Sequence, residues 1–474
     1  MGRDSVYYRI TDEFALRSWP DVGFAICQHG THGLVHLSNK LAATMLLCDG
    51  EHDIDTDATV MLLTLKRFVE PCNKGERPSA WSAYRAYDNV RFPLMNLMIT
   101  GKCNLNCLHC FNAADNAALM TEWSFEDICD LLDQARDCGI TGFQITGGEP
   151  MVHRRFLDIV REIYKRDMTI FALNTNGWFI TQEVLDELKA LGCRPQVKIS
   201  FDGIGFHDWI RRRAGAEQRA LDAMELCISN GFEVFSNTQV NRKNVHTMMP
   251  TARLLNSMGV QGMRMIRTTE APRWEQNAPD ACLSLEEYYG AMLDFATEYI
   301  HSDMSMSVES WQYIGLLPQT RSYYLKPVKF AGGRQSDGGY CCQSTHCMAA
   351  VTSDGEILPC NQMSGYFLKR GMSLGNVRKT PLRELLGEGD YTRIANMTAD
   401  DLRGAGGKCS TCAHFSYCGG GCRALGQLFS GEAELAGIGR EDVTKCYFFE
   451  RGWYQKVTHA LREWTNLSEI EVSE

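Results

Sequence analysis

The sequence predicts an α/β protein: an open, partial (β/α)6 TIM-like barrel between a small N-terminal unit and a Cys-rich C-terminal region. Three observations carry this. Six short apolar runs alternate with amphipathic helical patterns between residues 92 and 270. A unit with shorter strands and its own helices precedes them. After them the composition shifts to glycine and cysteine. At 474 residues the chain can hold about two to four domains, and 44 % apolar residues suffice for a sizeable core.

Residues 1–75 read as a separate unit. Strand-like runs at Val6–Ile10, Val22–Cys27 and Leu34–Leu37 lead into helical patterns near Asn39–Cys48 and Asp57–Glu70. Asp49-Gly50 between the helices reads as a turn. Residues 76–91, with Pro78 and several charges, read as a linker. The barrel, 92–270, then has strands at Leu94–Ile99, Gly142–Thr146, Thr169–Asn174, Gln196–Phe201, Glu233–Val240 and Gly262–Ile266. They are rich in Val, Ile, Phe and Met, as strands covered on both faces are. The first intervening helix places Ile128, Leu131, Leu132 and Ala135 on one stripe, and Ser124 with Asp127 starts it like a capping box. Such repeated units pair their strands in parallel and keep their chemistry at the strands' C-terminal ends. Residues 271–337 read as a bridging segment of helix and loop. Its aromatic stretch Trp311–Tyr324 reads more readily as core than as a channel lining. Residues 338–474 form the Cys-rich domain.

The formal charge is −10 without a Lys/Arg block, which argues against a nucleic-acid partner. No apolar run has transmembrane length, and the polar N-terminus lacks a signal-peptide apolar core. The expectation is a cytoplasmic protein with no membrane partner, in a compartment where disulfides are rare. Its 20 cysteines then need another explanation. Cys27, Cys48, Cys72, Cys129, Cys138, Cys193, Cys227 and Cys282 are scattered like ordinary small hydrophobes. The other twelve fall in two groups, which in a reducing compartment points to metal.

The first group is Cys103-x3-Cys107-x2-Cys110, directly after the first barrel strand. Three thiolates on one loop can hold three irons of a 4Fe-4S cube and leave the fourth open. Purely electron-transferring clusters normally have all irons ligated by cysteine. Zinc is the alternative, but it wants four ligands, and His109 adjoins Cys110 too closely to serve without distorting its neighbours' geometry.

This motif resembles the signature of radical S-adenosylmethionine enzymes. Three further pieces match at later strand ends. Thr146-Gly147-Gly148-Glu149-Pro150 resembles the motif that binds the methionine amino group, its glycines allowing close backbone approach. Asn174-Thr175-Asn176-Gly177 ends the third strand, and Ser200-Phe201-Asp202-Gly203 ends the fourth, followed by Arg211. The resemblance implies ribose contacts near Ser200 and Asp202 and a carboxylate contact from Arg211, whose planar fork suits one. The implied cosubstrate is S-adenosylmethionine, cleaved by one-electron reduction to a 5′-deoxyadenosyl radical that removes a hydrogen atom. The implied electron donor is of flavodoxin or ferredoxin type.

The second group comprises Cys341, Cys342, Cys347 and Cys360, then Cys409-x2-Cys412-x5-Cys418-x3-Cys422, then Cys446. With Gly355-x4-Cys360 it resembles the SPASM extension of peptide-modifying radical enzymes. That resemblance implies two auxiliary 4Fe-4S clusters, three in all. Cys360 and Cys422 would share one with two of Cys341, Cys342 and Cys347, of which Cys347 is the preferred member. Cys409, Cys412, Cys418 and Cys446 would hold the other. A pair of zinc ribbons is the competing reading, since Cys409-x2-Cys412 fits zinc equally well.

The N-terminal unit resembles the winged-helix-like, PqqD-like module that recognises leader peptides, and such a module can add the leader to a sheet edge. The implied function is a peptide maturase acting on a ribosomally made precursor with a leader, forming a thioether or other cross-link. Alternatives are a peptide epimerase and an anaerobic sulfatase-maturing enzyme. The latter group carries an Asp base where this chain has Asn361, an amide that accepts no proton at neutral pH. A non-catalytic electron carrier would have no use for Gly147–Pro150 or Arg211.

Overall fold

The apolar runs become strands and the striped segments helices in the computed structural model, which describes residues 5–110, 120–268, 274, 277–329, 339–364, 367, 371–430 and 436–468. The N-terminal unit contains β1 (Tyr7–Ile10), β2 (Phe14–Trp19), β3 (Gly23–Gln28), β4 (Leu34–His36), α1 (Asn39–Leu47), β5 (Asp49–Asp53), α2 (Ala58–Leu65) and β6 (Val69–Cys72). They form two small sheets, β5-β1-β6 and β4-β3-β2 with β7 (Arg85–Ala86). Tyr8, Ile10, Leu16, Ile26, Met45, Val60 and Leu63 close a core of their own.

Three details differ from the sequence reading. Asp49-Gly50 opens strand β5 rather than a turn. Gly50 has φ +80°, and a Cβ there would stand 2.1 Å from the Glu76 carbonyl oxygen. The second helix ends at Leu65 rather than Glu70, because Arg67 turns left-handed at φ 62° and residues 69–72 pair with β1. The stretch 76–91 is docked: buried Arg17 donates to the carbonyls of Ala83 (2.7 Å) and Trp81, and Ser82 donates to Thr11.

The barrel follows as β8 (Leu94–Met98), α3 (Phe125–Asp137), β9 (Gly142–Thr146), α4 (Phe156–Lys165), β10 (Thr169–Thr175), α5 (Gln182–Ala190), β11 (Gln196–Ser200), α6 (His207–Arg211), α7 (Ala216–Ser229), β12 (Val234–Val240), α8 (Met248–Met258) and β13 (Gly262–Arg267). All six strands are parallel and neighbours in order. The apolar stripe of α3 is buried as expected, and Ser124 caps it by accepting from the Asp127 N–H at 3.0 Å.

The bridging segment extends this sheet. Helix α9 (Leu285–Ile300) crosses over to β14 (Ser307–Ser310), which pairs in parallel with β13. The hairpin β15 (Ile314–Leu317) and β16 (Ser322–Leu325) follows, with Tyr313 and Tyr323 buried in the core. At the other end the C-terminal domain adds β17 (Met348–Val351), parallel to β8, and β18 (Ile357–Leu358). With β19 (Thr465–Asn466) beside β16, the sheet has twelve strands among the described residues. Among the described residues no helix is long and apolar enough to cross a membrane.

Candidate active site

Beyond β8 the chain runs through Thr100-Gly101-Lys102 into the first cysteine loop. The turn after β9 lies against it. Gly148 and Glu149 donate their N–H groups to the carbonyls of Thr100 (2.8 Å) and Lys102 (2.9 Å). A Cβ on Gly148 would stand 2.4 Å from the Lys102 oxygen, so only glycine lets the two backbones meet. From β10, Asn176 Nδ2 donates to Asn104 Oδ1 at 2.8 Å and lies 3.9 Å from Cys103 Sγ. The Leu105 N–H points at the same sulfur from 3.4 Å.

These loops enclose a cavity of about 200 Å³ lined by Cys103, Cys107 and Cys110. Thr146 and Gly147, Thr175, Ser200 and Gln239 bring the ends of β9, β10, β11 and β12 to the same wall. Among the described residues, no three His, Cys, Asp or Glu converge on one point that a single ion could occupy; the three thiols border a space instead.

The electrostatics follow from burial. It pushes the Cys103 thiol up to about 12. It raises Cys107 too, although Arg211 opposes it with Nη1 at 3.7 Å from the sulfur. Thiols so placed ionise when a cation replaces the proton, so the donor set fits a cationic iron–sulfur core. Burial also pushes the cavity-lining His109 down to about 3, keeping it neutral. Its Nδ1 has no hydrogen-bond partner among the described residues.

Among the residues expected to contact the cosubstrate, Gly147, Gly148, Ser200 and Arg211 stand on the cavity wall. Glu149, Asn174 and Asp202 do not line it. Glu149 is fully buried and accepts from the N–H of Asn176 (2.7 Å), the N–H of Met151 (3.2 Å) and the Thr175 hydroxyl (2.9 Å). Burial pushes this carboxyl up to about 7, against those bonds. Asp202 is also fully buried; it accepts from Arg211 Nε (2.6 Å) and Nη2 (3.1 Å) and from the Gln239 N–H (3.0 Å). Burial opposes its ionisation, yet Arg211 and His207 outweigh it and hold the carboxyl well below the usual range. Asn104 and Gln239 are additional polar groups at the site. Only their places, inside the cysteine motif and at a strand end, could have marked them.

The second cysteine group splits in space. Cys409, Cys412, Cys418 and Cys446 line one pocket together with Phe415, Lys445 and Phe449. Cys360 and Cys422 pack in another cluster, and the charge of Cys342 is felt at both. Cys341 donates to the Thr398 carbonyl at 3.1 Å and packs with Cys409 and Cys412. Cys347 accepts from Gln343 Nε2 at 3.2 Å and lies toward Arg91 and Tyr340.

Comparison with known proteins identifies two regions. Residues 97–255 match the radical SAM superfamily, and residues 341–413 match the SPASM iron–sulfur cluster-binding domain. The AdoMet-dependent heme synthase of Methanosarcina barkeri is 24 % identical over 348 residues, 70 % of this chain and 92 % of that protein. The antilisterial bacteriocin subtilosin biosynthesis protein AlbA of Bacillus subtilis is 30 % identical over 165 residues, 34 % of this chain and 36 % of that one. Among solved structures, Streptococcus suis SuiB bound to precursor peptide SuiA superposes with a TM-score of 0.64 at 14 % identity, covering 93 % of this chain and all 100 % of that one. The structure of anSMEcpe with bound AdoMet gives 0.53 at 18 % identity, covering 78 % of this chain and 100 % of that one. These two likenesses are likenesses of fold.

Proposed function

The chain is a radical SAM enzyme with a SPASM iron–sulfur domain, and from that premise we propose that it modifies a ribosomally made precursor peptide whose leader docks on the N-terminal unit. When bound, a 4Fe-4S cluster and S-adenosylmethionine supply a 5′-deoxyadenosyl radical that takes a hydrogen atom from an unactivated C–H. In this reading Cys103, Cys107 and Cys110 hold that cluster. Gly147 and Gly148 offer backbone to the methionine end, Ser200 and Gln239 offer hydrogen bonds to the ribose, and Asp202 aims Arg211 into the cavity. Cys360 and Cys422, with two of Cys341, Cys342 and Cys347, would hold one auxiliary cluster; Cys409, Cys412, Cys418 and Cys446 would hold the other. A flavodoxin- or ferredoxin-type protein would supply the electron.

One observation carries the peptide part. Of the ten large apolar side chains exposed among the described residues, six belong to the N-terminal unit: Val35 on edge strand β4, Leu46 and Leu47 on α1, and Met61, Leu62 and Leu65 on α2. Leu65 is 79 % exposed. Such a concentration supports a docking role, and an edge strand can accept an extended peptide. The fold likeness to a peptide-bound protein spans more of the chain than the barrel and Cys-rich regions could supply without this unit. The sulfatase-maturing alternative lacks its base, since Asn361 follows Cys360. The heme synthase relatives, matching 70 % of the chain, favour a second reading, a reaction on a heme precursor.

Co-expression with any short open reading frame found beside the gene, followed by mass spectrometry, tests the proposal. Loss of a hydrogen pair from the peptide is expected for a cross-link, and no mass change with an inverted residue for epimerisation. Holoenzyme that cleaves S-adenosylmethionine but returns the peptide unchanged, while converting a porphyrin, sinks it in favour of the second reading.

A further inference from the structure

The lumen beneath the cosubstrate cavity carries charge that no role above uses. Side chains alternate along a strand, so Lys198 shares the inward face of β11 with Ser200, and Asn237 shares that of β12 with Gln239. Ser200 and Gln239 line the first cavity. Lys198 and Asn237 line a second one of about 340 Å³, with Arg264 on β13, Glu309 on β14, Tyr324 on β16 and Lys326 just beyond it. The two cavities are successive layers of one lumen, about 6.6 Å apart along the strands.

The lower layer is unbalanced. It holds three cationic side chains and one carboxylate, and that carboxylate is already ion-paired to two of them. Glu309 pairs with Arg264 Nε at 3.2 Å and Lys326 Nζ at 3.3 Å, and accepts from the Tyr324 hydroxyl at 2.8 Å. Lys198, half-buried, makes no hydrogen bond or ion pair among the described residues. Burial and, less strongly, the neighbouring Arg264 act against its charge, and the Glu309 carboxylate acts for it. Glu309 is already shared by Arg264 and Lys326, so a third cation drawn from water beside it is under-compensated and costly, and an incoming anion would relieve the cost. Aspartate, glutamate and the chain terminus are the anionic groups of an unmodified peptide, and all are carboxylates.

We propose that this lower layer binds a carboxylate of the substrate, with Lys198 as its ion-pair partner and Arg264 and Lys326 supporting the field. The inference rests on the peptide reading for the carrier of that carboxylate. An anchor one layer below the cosubstrate cavity would fix a neighbouring C–H in its reach, the positional restraint on which such reactions depend.

The test uses anaerobically reconstituted full-length enzyme and four ligands. These are an acetylated, amidated alanine peptide with one central glutamate, the same peptide with glutamine, the glutamine peptide with a free carboxyl terminus, and glutarate. Binding is followed by calorimetry or ligand-observed NMR. The glutamate or the free-terminus peptide should bind about tenfold or more tightly than the neutral one, the scale of one partly desolvated ion pair; whichever does identifies the source of the carboxylate. Lys198→Met should erase the preference and Lys198→Arg should keep most of it. Glutarate bound in a Lys198-dependent way without peptide binding would uphold the site and defeat the peptide reading. Equal binding of charged and neutral ligands, no binding of any of the four, or an unchanged preference in Lys198→Met would overturn the inference.

Discussion

Glu149 joins two strand ends. Its oxygens accept from Thr175 at the end of β10, from Asn176 just after it and from Met151 in its own turn. It is fully buried, and burial raises its carboxyl from an ordinary 4.5 to about 7. The sign of the consequence is definite. A carboxyl whose folded pKa lies above its unfolded one favours folding in its protonated form. Its contribution is complete below pH 4.5 and is lost as pH rises through about 7. Within that window stability should fall by up to about 1.4 kcal/mol per pH unit from this group. Glu149→Gln cannot titrate, so denaturant midpoints of the full chain between about pH 5 and 7.5 should slope less in the variant. Parallel slopes for variant and wild type would refute this account of Glu149. Asp202 is the opposite case, a buried acid kept ionised by the forked Arg211.

The element that carries the first three cysteines depends on its neighbour in the same way. Gly148 cannot gain a methyl group without meeting the Lys102 and Gly101 oxygens at 2.4 and 2.5 Å, and both are backbone atoms that cannot rotate aside. Gly148→Ala should cost about 1–3 kcal/mol of local overpacking, relieved by shifting the cysteine loop. The reconstituted variant should retain its far-UV circular dichroism but lose iron and the visible absorbance of the cluster bound there. Wild-type iron content would show that the loop does not need this contact. The glycines and cysteines of this element were legible because motif spacing is local, and the six barrel strands were legible because burial on both faces leaves uninterrupted apolar runs. Other elements hid for physical reasons. Strand β2 has Arg17 in its interior, a charge satisfied by carbonyls more than sixty residues away. Strand β5 reads Asp-Gly-Glu-His-Asp, with no apolar alternation. The directions of Glu149 and Asp202 were equally hidden, since Thr175 and Arg211 set them and spacing says nothing of side-chain aim.

At the scale of the whole molecule, the Cys-rich domain is part of the barrel's edge. Strand β17 pairs with β8 from Met348 opposite Leu94 to Val351 opposite Leu97. The Trp123 indole N–H donates to the Thr352 carbonyl at 3.1 Å, and the Thr121 and Ser353 hydroxyls meet at 2.8 Å. Farther on, the Leu382 N–H bonds Gln134 and the Val90 N–H bonds the Leu386 carbonyl, each at 2.8 Å. Leu382, Leu386 and Tyr391 belong to the main core. The strand that delivers Cys103 is thus interior to the sheet only while residues far down the chain lie beside it. Ending the chain after residue 329 would leave β8, Leu-Met-Asn-Leu-Met, as a bare apolar edge, a template for intermolecular pairing. Such a truncated chain should be insoluble or elute as large aggregates on size exclusion. A soluble, iron-loaded monomer would show that the barrel stands without its C-terminal partner. The expected aggregation would tie the loop proposed to bind the first cluster to the domain proposed to bind the other two, because Cys347 and Cys360 flank β17 and β18, strands of the same continuous sheet that delivers Cys103.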